Sequence, residues 1–510
     1  MKRALISVYD KKGIIDFAKE LVGLGWEIIS TGGTSKILKE AGIDIIDIED
    51  VTHFPEILDG RVKTLHPNIH GGLLYKRDSE EHKKTLEDLN IKSVDMVINN
   101  LYPFEETVKK EGVSHEEIIE NIDIGGPSMI RAAAKNYKYV TVVIDPSDYE
   151  KVIEELKSKG ETSIDLRRAL ARKVYQYTAY YDSLIGNYFN SLESVDFPEI
   201  ISLSFKEKQE LRYGENPHQK AAFYKEAGNL EGTIAGAIKL HGKELSFNNI
   251  NDGNGALEIL KEFDEPTVVA VKHANPCGIG SGKDLLEAYN KAYESDKISI
   301  FGGIISANRE IDEDVAKRIN DIFVEIVMAP AFTKKALEIL TSKKNIRVLR
   351  IPNIMKKDYP SLDVKKVLGG ILIQERDTVL LGEELKVVTK RKPTDEEMED
   401  LLFSWKAVKN VKSNSVLLAK NKGTIGIGMG EVNRVWAVKA AIERAGEKVK
   451  GSVLASDGFF PFKDSVEALA KAGVTAIIQP GGSLRDEESI VEADKNGIAM
   501  MFTGMRHFKH

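Results

Sequence analysis

Cysteine is nearly absent from this sequence: Cys277 is the single example among 510 residues. One thiol cannot form an intramolecular disulfide, and it cannot supply the several thiolates of a structural zinc site. Long apolar runs are lacking too, because no stretch reaches the roughly 18 residues that a membrane helix needs. The apolar run at residues 4–8 is too short for the core of a signal peptide, so we expect a cytoplasmic protein without a membrane partner.

Positive charge is not in excess either. Lysine and arginine number 72 against 79 aspartate and glutamate residues, which gives a formal net charge of -7. A surface that neutralises a nucleic-acid backbone needs an excess of cations, so we expect no nucleic-acid partner and only small phosphorylated ligands. The composition, with 42% hydrophobic and 30% charged residues, is that of an ordinary globular protein.

The length predicts more than one folded unit, since domains commonly hold roughly 100 to 200 residues. Residues 1–50 alternate between short apolar runs and helical periodicity in the order βαβαβ, which predicts a parallel sheet with helices on its faces. Apolar runs at 94–98 and 139–144 predict further buried strands. We therefore expect an α/β fold whose first part, residues 1–195, is a doubly wound parallel-sheet domain.

The remaining chain predicts a second α/β region. Residues 149–189 have the periodicity of long helices, and the polar segment 191–198 indicates a connector. Short apolar runs alternate with amphipathic segments again over residues 200–510. The segment 389–395 holds three cations and a proline, which indicates two subdomains that divide near residues 375–395.

Polar segments in the first domain stand where predicted strands end. Residues 30–35 (STGGTS) offer hydroxyls and backbone N–H groups at a helix start, which suits a phosphate, although an N-cap with a glycine turn explains them equally well. They lack the lysine of a Walker loop and the third glycine of a dinucleotide fingerprint. Residues 60–67 (GRVKTLHP) are typical of anion binding or acid–base work, or of a solvated basic turn. Polar groups at the ends of parallel strands, such as residues 99–104, converge on one crevice.

Together the segments STGGT, GRVKTLHP, NLYPF, IDIGG and RAAAKN resemble the inosine monophosphate (IMP) cyclohydrolase domain of the bifunctional purine-biosynthesis enzymes, whose fold is similar to that of methylglyoxal synthase. This resemblance covers residues 1 to about 195. It implies that four residues surround the closing ring: Lys63, Tyr102, Asp123 and Lys135. It also implies that seven residues hold the phosphate and ribose: Ser7, Lys12, Ser30, Thr31, Gly32, Arg61 and Thr64.

The chemistry of ring closure needs such a set. The carboxamide nitrogen attacks a formyl carbon, negative charge develops on oxygen, and water leaves. An ammonium group such as Lys63 would stabilise the charge, while Tyr102, Asp123 and Lys135 would relay protons. This chemistry requires no metal.

In the second region, Lys272 and His273 follow a strand-like run at residues 268–271. His273 is suited to take a proton from a weakly nucleophilic amine and Lys272 to stabilise negative charge, although a lone loop histidine is more often structural. The neighbouring Pro276-Cys277 invites comparison with zinc deaminases, which need Pro-Cys-x-x-Cys. Gly280 stands where the second cysteine belongs, so zinc hydrolysis of an amine is rejected.

Three other segments have two interpretations each. Residues 212–219 (RYGENPHQ) are typical of a substrate loop or of a capped turn. Residues 426–430 (GIGMG) lack the third fingerprint glycine, so we interpret them mainly as a tight strand-to-helix turn. Residues 456–464 (SDGFFPFKD) predict either core and cap or a clasp for a flat heterocycle.

The segments LRYGENPHQ, LSFNNIND, KHANPCG, FGG, SNSV, SDGFFPF, QPGGS and TGMRHFKH resemble the formyltransferase half of the same enzymes, over residues 200–510. The resemblance implies that Lys272 and His273 are the catalytic pair, with Asn414 and His510 in support. Residues implied to contact the ribonucleotide are Arg212, Tyr213, Asn248, Arg506 and Phe508. Those implied to lie near the folate are Asp457, Phe459, Pro461 and Phe462.

The resemblance implies two subdomains with a fold like cytidine deaminase, without its zinc, and a formyltransferase site assembled across a homodimer. The implied reactions are formyl transfer from 10-formyltetrahydrofolate to the 5-amino group of aminoimidazole carboxamide ribonucleotide (AICAR), giving formyl-AICAR (FAICAR), and dehydrative closure of FAICAR to IMP. One departure is Glu431, where the family usually has glutamine. Two alternatives stay open: a regulatory protein that binds phosphometabolites without catalysis, and a methylglyoxal-forming lyase fused to an unrelated domain.

Overall fold

The structure is a computed structural model that describes residues 1–357, 362–382 and 385–510. By its internal contacts the chain divides into two units. Unit 1 comprises residues 1–206 with 226–228, and unit 2 comprises residues 207–225 with 229–510. Among the residues that the structure describes, no helix has the length and apolarity to cross a membrane.

Unit 1 contains a five-stranded parallel sheet, so the predicted doubly wound fold is confirmed. Its strands are β1 (Arg3–Val8), β2 (Glu27–Ser30), β3 (Ile45–Asp47), β4 (Met96–Asn100) and β5 (Thr141–Val143). Its helices are α1 (Ile14–Gly23), α2 (Gly32–Glu40), α3 (Ile48–Thr52), α4 (Pro67–Leu74), α5 (Glu80–Asp88), α6 (Phe104–Val108), α7 (His115–Glu120), α8 (Gly125–Lys135), α9 (Tyr149–Lys159) and α10 (Ile164–Leu192).

The strand order β3-β2-β1-β4-β5 determines where unit 1 opens a crevice. Strands are added on one side of β1 and then on the other, and such a reversal leaves a gap at the carboxyl ends of the two central strands. The gap here lies beside Ser7 and Val8 of β1 and Asn99 and Asn100 of β4. Apolar side chains bury the rest of both strands, since Leu5 and Ile98 are at most 1% exposed.

Unit 2 contains a sheet of twelve strands, with two separate hairpins. The hairpins pair β6 (Phe205–Leu211) with β7 (Ala221–Glu226), and β14 (Leu362–Val367) with β15 (Gly370–Glu375). The apolar run 369–373 therefore lies in a hairpin and not in the main sheet, and strand β15 is largely exposed. The edge strands of the main sheet are β8 (Ile238–His241) and β16 (Lys386–Val387).

Ten further strands and eight helices form two successive copies of one arrangement. The first copy is α11 (Phe247–Leu260), β9 (Thr267–Lys272), β10 (Asn275–Ser281), α12 (Leu285–Ser295), β11 (Ile304–Ala307), α13 (Glu313–Asn320), β12 (Ile326–Ala329), α14 (Lys334–Thr341) and β13 (Arg347–Arg350). The second is α15 (Asp395–Val408), β17 (Val416–Lys420), β18 (Gly423–Gly428), α16 (Arg434–Ala445), β19 (Val453–Ser456), α17 (Asp464–Ala472), β20 (Ala476–Gln479), α18 (Asp486–Lys495) and β21 (Ala499–Phe502).

The two copies join edge to edge through β10 and β18, which pair antiparallel at Gly280 and Gly423. Helices α11 and α15 cover one face of the continuous sheet, where their apolar side chains pack with alternate strand residues such as Val269 and Leu417. The other helices of each copy cover the opposite face. The segment between the copies includes residues 383–384, so part of the subdomain boundary predicted near 375–395 lies outside the described residues.

Three features of local structure differ from the sequence predictions or were not predicted. No strand was predicted for residues 275–281, which form β10 because their backbone pairs with β9 around a bulge between Pro276 and Gly278. Helix α10 continues through Leu192, into the predicted connector. The duplication within unit 2 was not predicted, because the copies share element order more than amino-acid sequence.

Candidate active sites

Unit 1 has a cavity of about 550 Å³ at the crevice between β1 and β4. Loops that follow β1, β2 and β4 line it, together with the first turn of α8 and the segment 59–64. Eight of the predicted site residues line this cavity: Ser7, Thr31, Gly32, Arg61, Lys63, Thr64, Tyr102 and Asp123. The sequence segments that lie far apart in the chain therefore converge, as their positions after parallel strands predicted.

One end of this cavity has the features of an anion site. Thr31 is the N-cap of α2, and its hydroxyl lies 2.9 Å from the Ser7 hydroxyl and makes no cap hydrogen bond to the helix. The first N–H groups of a helix have no partner within it, and those of Gly32 and Gly33 border the cavity. The Lys63 ammonium lies 4.0 Å from where a Cβ on Gly32 would stand.

Lys11 lines the cavity, and Lys12, predicted for the phosphate, does not. The Lys11 Nζ donates to the Thr34 hydroxyl at 2.9 Å and also to the Val8 carbonyl. Burial, and then the neighbouring Lys63, lower the pKa of Lys11. The Lys12 side chain is exposed, because the chain turns after Lys11 and carries it outward. Of these two adjacent lysines, Lys11 is therefore the one that borders the cavity, and a role for Lys12 stays a prediction.

The other end of the cavity offers a carboxyl group and a phenol. The Asp123 Oδ1 accepts a hydrogen bond from the Gly126 N–H at 2.8 Å. Burial raises the pKa of Asp123, and hydrogen bonds from the backbone of Gly126 and Tyr102 and the charge of Lys63 oppose that rise. The Tyr102 side chain is 43% exposed, so its hydroxyl is available to a bound molecule. These groups suit proton exchange.

Asn99 and Glu120 also line the cavity: Asn99 belongs to the segment 99–104 that was expected at the crevice, whereas Glu120 was not singled out from the sequence. The Asn99 Nδ2 donates to the Ser7 carbonyl at 2.5 Å, while its Oδ1 is buried without a partner among the described residues. An unpaired buried acceptor at a cavity is suited to a donor on a ligand. Glu120 forms an exposed ion pair with Arg61, and this pair holds the guanidinium at the rim.

Two other predicted residues of unit 1 do not line the cavity. The Ser30 hydroxyl is buried and donates to the Ile6 carbonyl at 2.9 Å, which ties β2 to β1. Lys135 lies in the last turn of α8, whose first turn lines the cavity. Lys135 stands ten residues after Gly125, which places it about 15 Å farther along the helix.

In unit 2, strand register places the predicted catalytic residues along one edge of the large sheet. Lys272 ends β9, and His273 and Ala274 form the turn to β10. β18 reaches the same edge at Gly428, opposite the start of β17 at Val416 and the end of β19 at Ser456. Two strands, β10 and β18, thus lie between the strand that ends at Lys272 and the strand that follows Asn414, which puts these ends about 14 Å apart at ~4.8 Å per strand spacing.

Lys272 and His273 are held by backbone contacts. The Lys272 Nζ donates to the Phe301 carbonyl at 3.0 Å. The His273 carbonyl accepts from the Asn275 Nδ2 at 3.0 Å, and the backbone N–H of His273 donates to Asp252 on α11 at 3.0 Å. The His273 side chain is exposed.

Asn414 belongs to a buried polar cluster. Its Oδ1 accepts from Arg434 at 2.9 Å, and its Nδ2 donates to the Glu431 carbonyl at 2.8 Å. The Asp457 carboxylate is fully buried and forms an ion pair with Arg434. Asp457, predicted near the folate, therefore faces inward. Glu431 contacts Asn414 through backbone atoms in the hydrogen bonds of this cluster. The presence of glutamate where the family usually has glutamine therefore does not alter these hydrogen bonds.

Aromatic side chains border this edge. Phe459 and Phe462 are 38% and 48% exposed, whereas Phe460 between them is buried in the core. Pro461 is half-buried. The Arg485 guanidinium lies 4.9 Å from the centre of the Phe462 ring. The segment is thus compatible with both interpretations of the sequence, because Phe460 packs in the core whereas Phe459 and Phe462 are partly exposed.

The C-terminal tail lies against the same segment. A Cβ on Gly458 would stand 2.7 Å from the Phe508 ring, so glycine permits this contact. The Arg506 guanidinium lies 4.6 Å from the Phe508 ring centre, and the His510 and Phe508 rings are 5.8 Å apart. The tail is fixed by the buried His507, whose Nδ1 is 2.5 Å from Asp377. Sequence reasoning missed His507 and Arg434.

The remaining predicted residues form a third group. The Arg212 guanidinium lies 5.5 Å from the Tyr213 ring centre. The Asn248 Nδ2 donates to the Glu215 carbonyl of the same loop at 3.5 Å. Asn248 stands one helical turn before Asp252 on α11, so both project from one face of that helix. Helix α11 thereby links this loop to the His273 turn.

Across residues 1–357, 362–382 and 385–510, no three His, Cys, Asp or Glu side chains converge as the ligands of a metal ion would. The half-buried Cys277 has a pKa raised by burial to about 12, so it stays protonated.

Comparison with known proteins identifies the family. A sequence model described as AICARFT/IMPCHase bienzyme matches residues 133–444, and one described as MGS-like domain matches residues 13–128. The chain is 61% identical to the bifunctional purine biosynthesis protein PurH of Acetivibrio thermocellus, and the match covers 100% of both chains. The proteins of that name from Caldicellulosiruptor saccharolyticus and Anoxybacillus flavithermus are each 59% identical, again over 100% of both chains. The chain therefore belongs to the AICARFT/IMPCHase bienzyme family.

Proposed function

We propose that this chain performs formyl transfer and ring closure at two separate sites, one in each unit. Family membership makes it a bifunctional formyltransferase and cyclohydrolase that carries out the last two steps of purine biosynthesis. 10-Formyltetrahydrofolate supplies the formyl group to the 5-amino nitrogen of AICAR, and the product FAICAR then loses water to become IMP. We assign ring closure to residues 1–195 and formyl transfer to residues 200–510.

The observation that carries the first assignment is the two-ended cavity of unit 1. Its anion end, with Lys11 and the start of α2, suits a ribonucleotide phosphate, and Lys63 lies between the two ends, since its charge acts on both Lys11 and Asp123. Its other end, with Tyr102 and Asp123, suits the base. A molecule with one phosphate and one small heterocycle fits both ends at once, and FAICAR is such a molecule.

Ring closure follows from the groups at the second end. The carboxamide nitrogen attacks the formyl carbon, and the Lys63 ammonium stabilises the charge that develops on the formyl oxygen. The pKa of Asp123 is raised by burial, so this carboxyl group exchanges protons nearer to neutral pH than an exposed aspartate does. Tyr102 relays a proton to the departing oxygen. Ser7, Thr31, Gly32, Arg61 and Thr64 hold the phosphate and ribose, whereas roles for Lys12, Ser30 and Lys135 stay predictions without support from the cavity.

The second assignment is supported by the edge of the large sheet, where proposed catalytic and aromatic groups meet. His273 accepts the proton that the 5-amino group loses, and Lys272 stabilises negative charge beside it. Asn414 and His510 support this pair. Phe459, Pro461 and Phe462 offer apolar surface to the flat rings of 10-formyltetrahydrofolate, and Asp457 acts indirectly, by holding Arg434. Ribonucleotide contacts are assigned to Arg212, Tyr213, Asn248, Arg506 and Phe508.

We also propose a homodimer. The hairpin β14–β15 exposes apolar side chains, with Leu368 fully exposed at its tip and Leu372 59% exposed. Apolar groups of this kind commonly lie at subunit contacts. Sedimentation of the purified chain tests this proposal, and a monomer at the concentrations used in the assay would contradict it. A cytoplasmic location stays a prediction.

The two-site proposal is tested with purified chain, AICAR and 10-formyltetrahydrofolate, by following tetrahydrofolate and IMP separately. We expect both products from the unaltered chain. Lys63→Ala should form tetrahydrofolate at the normal rate and accumulate FAICAR, because it removes the cation at the ring-closure site alone. Lys36→Ala is the matched control, since Lys36 is exposed on α2 and does not line the cavity.

Either of two outcomes contradicts the proposal. If folded chain forms neither product, the chain is a binding protein without catalysis. Ring closure is measured separately, as IMP formed from supplied FAICAR. If Lys63→Ala slows this reaction and tetrahydrofolate formation from AICAR by the same factor, one site serves both reactions.

A further inference from the structure

The turn that carries His273 has an unfavourable backbone conformation. His273 and Ala274 have φ angles of 55° and 56°, in the left-handed region. Two-residue hairpin turns of this kind favour Asn-Gly or Asp-Gly, because a side chain with a Cβ is disfavoured there. Neither His nor Ala belongs to that set. The turn therefore needs stabilisation from outside the hairpin.

Asp252 supplies that stabilisation. Its Oδ2 accepts the N–H of His273 at 3.0 Å, and its Oδ1 accepts the N–H of Ala274 at 2.9 Å. Both oxygens of one carboxylate thus bind the two consecutive amides of the turn, with the added strength that a charged acceptor gives. Asp252 stands in the second turn of the rigid helix α11.

The second copy in unit 2 contains the same arrangement. Asn421 and Lys422 form the turn between β17 and β18, with φ angles of 53° and 55°. The carboxylate of Asp400 on α15 accepts their N–H groups at 2.8 and 2.6 Å. This turn lies at the opposite edge of the sheet, because β10 and β18 are antiparallel. It therefore carries no proposed catalytic group.

We infer that Asp252 is a positioning residue for formyl transfer, and that its carboxylate fixes the direction in which the turn presents the His273 imidazole to the substrate. The φ angle of His273 determines the direction of its Cα–Cβ bond, so release of the turn N–H groups would let the imidazole move. This inference rests on the proposed role of His273 as proton acceptor. Asp400 performs the same backbone task without a catalytic consequence.

The test compares Asp252→Asn with its matched control, Asp400→Asn. An asparagine presents one acceptor and one N–H donor to two backbone donors, so each variant loses one hydrogen bond and gains a repulsive contact. We expect Asp252→Asn to lower kcat of formyl transfer about 10- to 100-fold, since misplacement of a reacting group by about 1 Å costs that much. KM for AICAR should change less than about threefold, because binding groups remain in place.

Internal controls separate orientation from unfolding. Closure of supplied FAICAR occurs in unit 1, so it should be normal in both variants. Asp400→Asn should lower the melting temperature as much as Asp252→Asn and leave kcat of formyl transfer unchanged. If Asp252→Asn does not fold, Asp252→Glu replaces it, since that variant keeps both oxygens and displaces them by one methylene. We expect a lower kcat from it as well.

A double-mutant cycle with His273→Ala identifies which claim is wrong if the test fails. We expect Asp252→Asn to cost nothing further in the His273→Ala background, because the imidazole is then absent. If Asp252→Asn keeps its full cost there, or if it matches Asp400→Asn in kcat, Asp252 is not a positioning residue for His273. If instead His273→Ala alone transfers formyl groups normally, the proposed function of the site is wrong.

Discussion

The two copies within unit 2 have the same framework, and only one of them has the proposed catalytic pair at its turn. In both, a 14-residue helix begins with a capping box, at Ser246 in one and Thr394 in the other. In both, an aspartate on that helix binds the two N–H groups of a left-handed hairpin turn. The residues at that turn differ, with His273 in one copy and Asn421 in the other.

This difference separates what the fold requires from what the reaction requires. A hairpin turn whose two N–H groups bind a carboxylate from a packed helix is a structural device, and both copies keep it. The proposed proton exchange uses an imidazole, and of the two turns only the one in the first copy carries a histidine. The copies are therefore matched experiments within one molecule: a change made at equivalent positions should affect stability alike and catalysis unequally.

The largest difference in formyl-transfer rate between the two copies is expected when the lysine that ends the first strand of each hairpin is replaced. The Lys272 Nζ donates to the Phe301 carbonyl and the Lys420 Nζ to the Lys450 carbonyl, each at 3.0 Å. Lys272→Ala should slow formyl transfer by about 10²- to 10³-fold, the usual cost of losing one donor to a developing negative charge. Lys420→Ala should leave the rate unchanged.

The measurement is the rate of tetrahydrofolate formation at saturating AICAR, with closure of supplied FAICAR as the control for folding. Equal losses of formyl-transfer rate in the two lysine variants would contradict the proposed difference between the copies. They would indicate that the copies contribute alike to catalysis, or that neither lysine does more than support its loop.

A smaller and more even effect is expected for glycines in the second strand of each hairpin. A Cβ on Gly280 would stand 2.3 Å from the Ala288 carbonyl, and one on Gly428 would stand 2.0 Å from the Ala437 carbonyl. Backbone atoms cannot move aside as a flexible side chain does, so each Gly→Ala change should lower the free energy of unfolding by about 1–3 kcal/mol or more. Urea unfolding measures this loss.

These glycine variants should also differ in formyl transfer, because the two glycines lie near opposite edges of the sheet. Gly428 ends its strand at the edge where Asn414 lies, and Gly280 lies near the opposite edge. We therefore expect Gly428→Ala to lower formyl transfer more than Gly280→Ala at equal stability. Gly370→Ala is the control, because only a side-chain carbon at 4.0 Å would meet its Cβ. Unchanged stability in both glycine variants would show that the helices are not packed as closely as the structure has them.

The duplication explains how much of unit 2 the sequence could reveal. Periodicity predicted alternating apolar runs and amphipathic segments over residues 200–510, and helix α16 is one such segment, because its buried residues lie on one face. Strand β10 was missed, since its glycines and proline are typical of loops and it is a strand only because β9 and β18 pair with it. One signal was available: Gly-Ile-Gly occurs at residues 278–280 and again at 426–428, and an aspartate precedes each by the same number of residues.

The sites were predictable in part for a similar reason. Residues at the ends of parallel strands converge by topology, so their positions predicted one crevice, whereas the choice of Ser7, Thr31, Tyr102 and Asp123 came from the resemblance to the family. Asp252, Arg434 and His507 were not predicted, because each acts on a partner distant in the chain. The sequence also does not show which way a side chain points, so the burial of Asp457 could not be predicted from it.

The smallest expected effect applies the same matched design to unit 1, where adjacent lysines differ in direction. Lys11→Ala should raise KM for FAICAR about 10-fold or more in the closure reaction, since a hydrogen bond to a charged group contributes roughly 1.5–3 kcal/mol. Lys12→Ala should leave KM unchanged, because that side chain is exposed outside the cavity.

The pH profile gives a second measure: burial and Lys63 lower the pKa of Lys11, so it loses its proton at a lower pH than an ordinary lysine, and KM should rise earlier on the alkaline side. That early rise should vanish in Lys11→Ala, where the titrating group is missing. If Lys12→Ala raises KM and Lys11→Ala does not, the phosphate is bound outside this cavity, and the assignment of ring closure to its two ends is wrong.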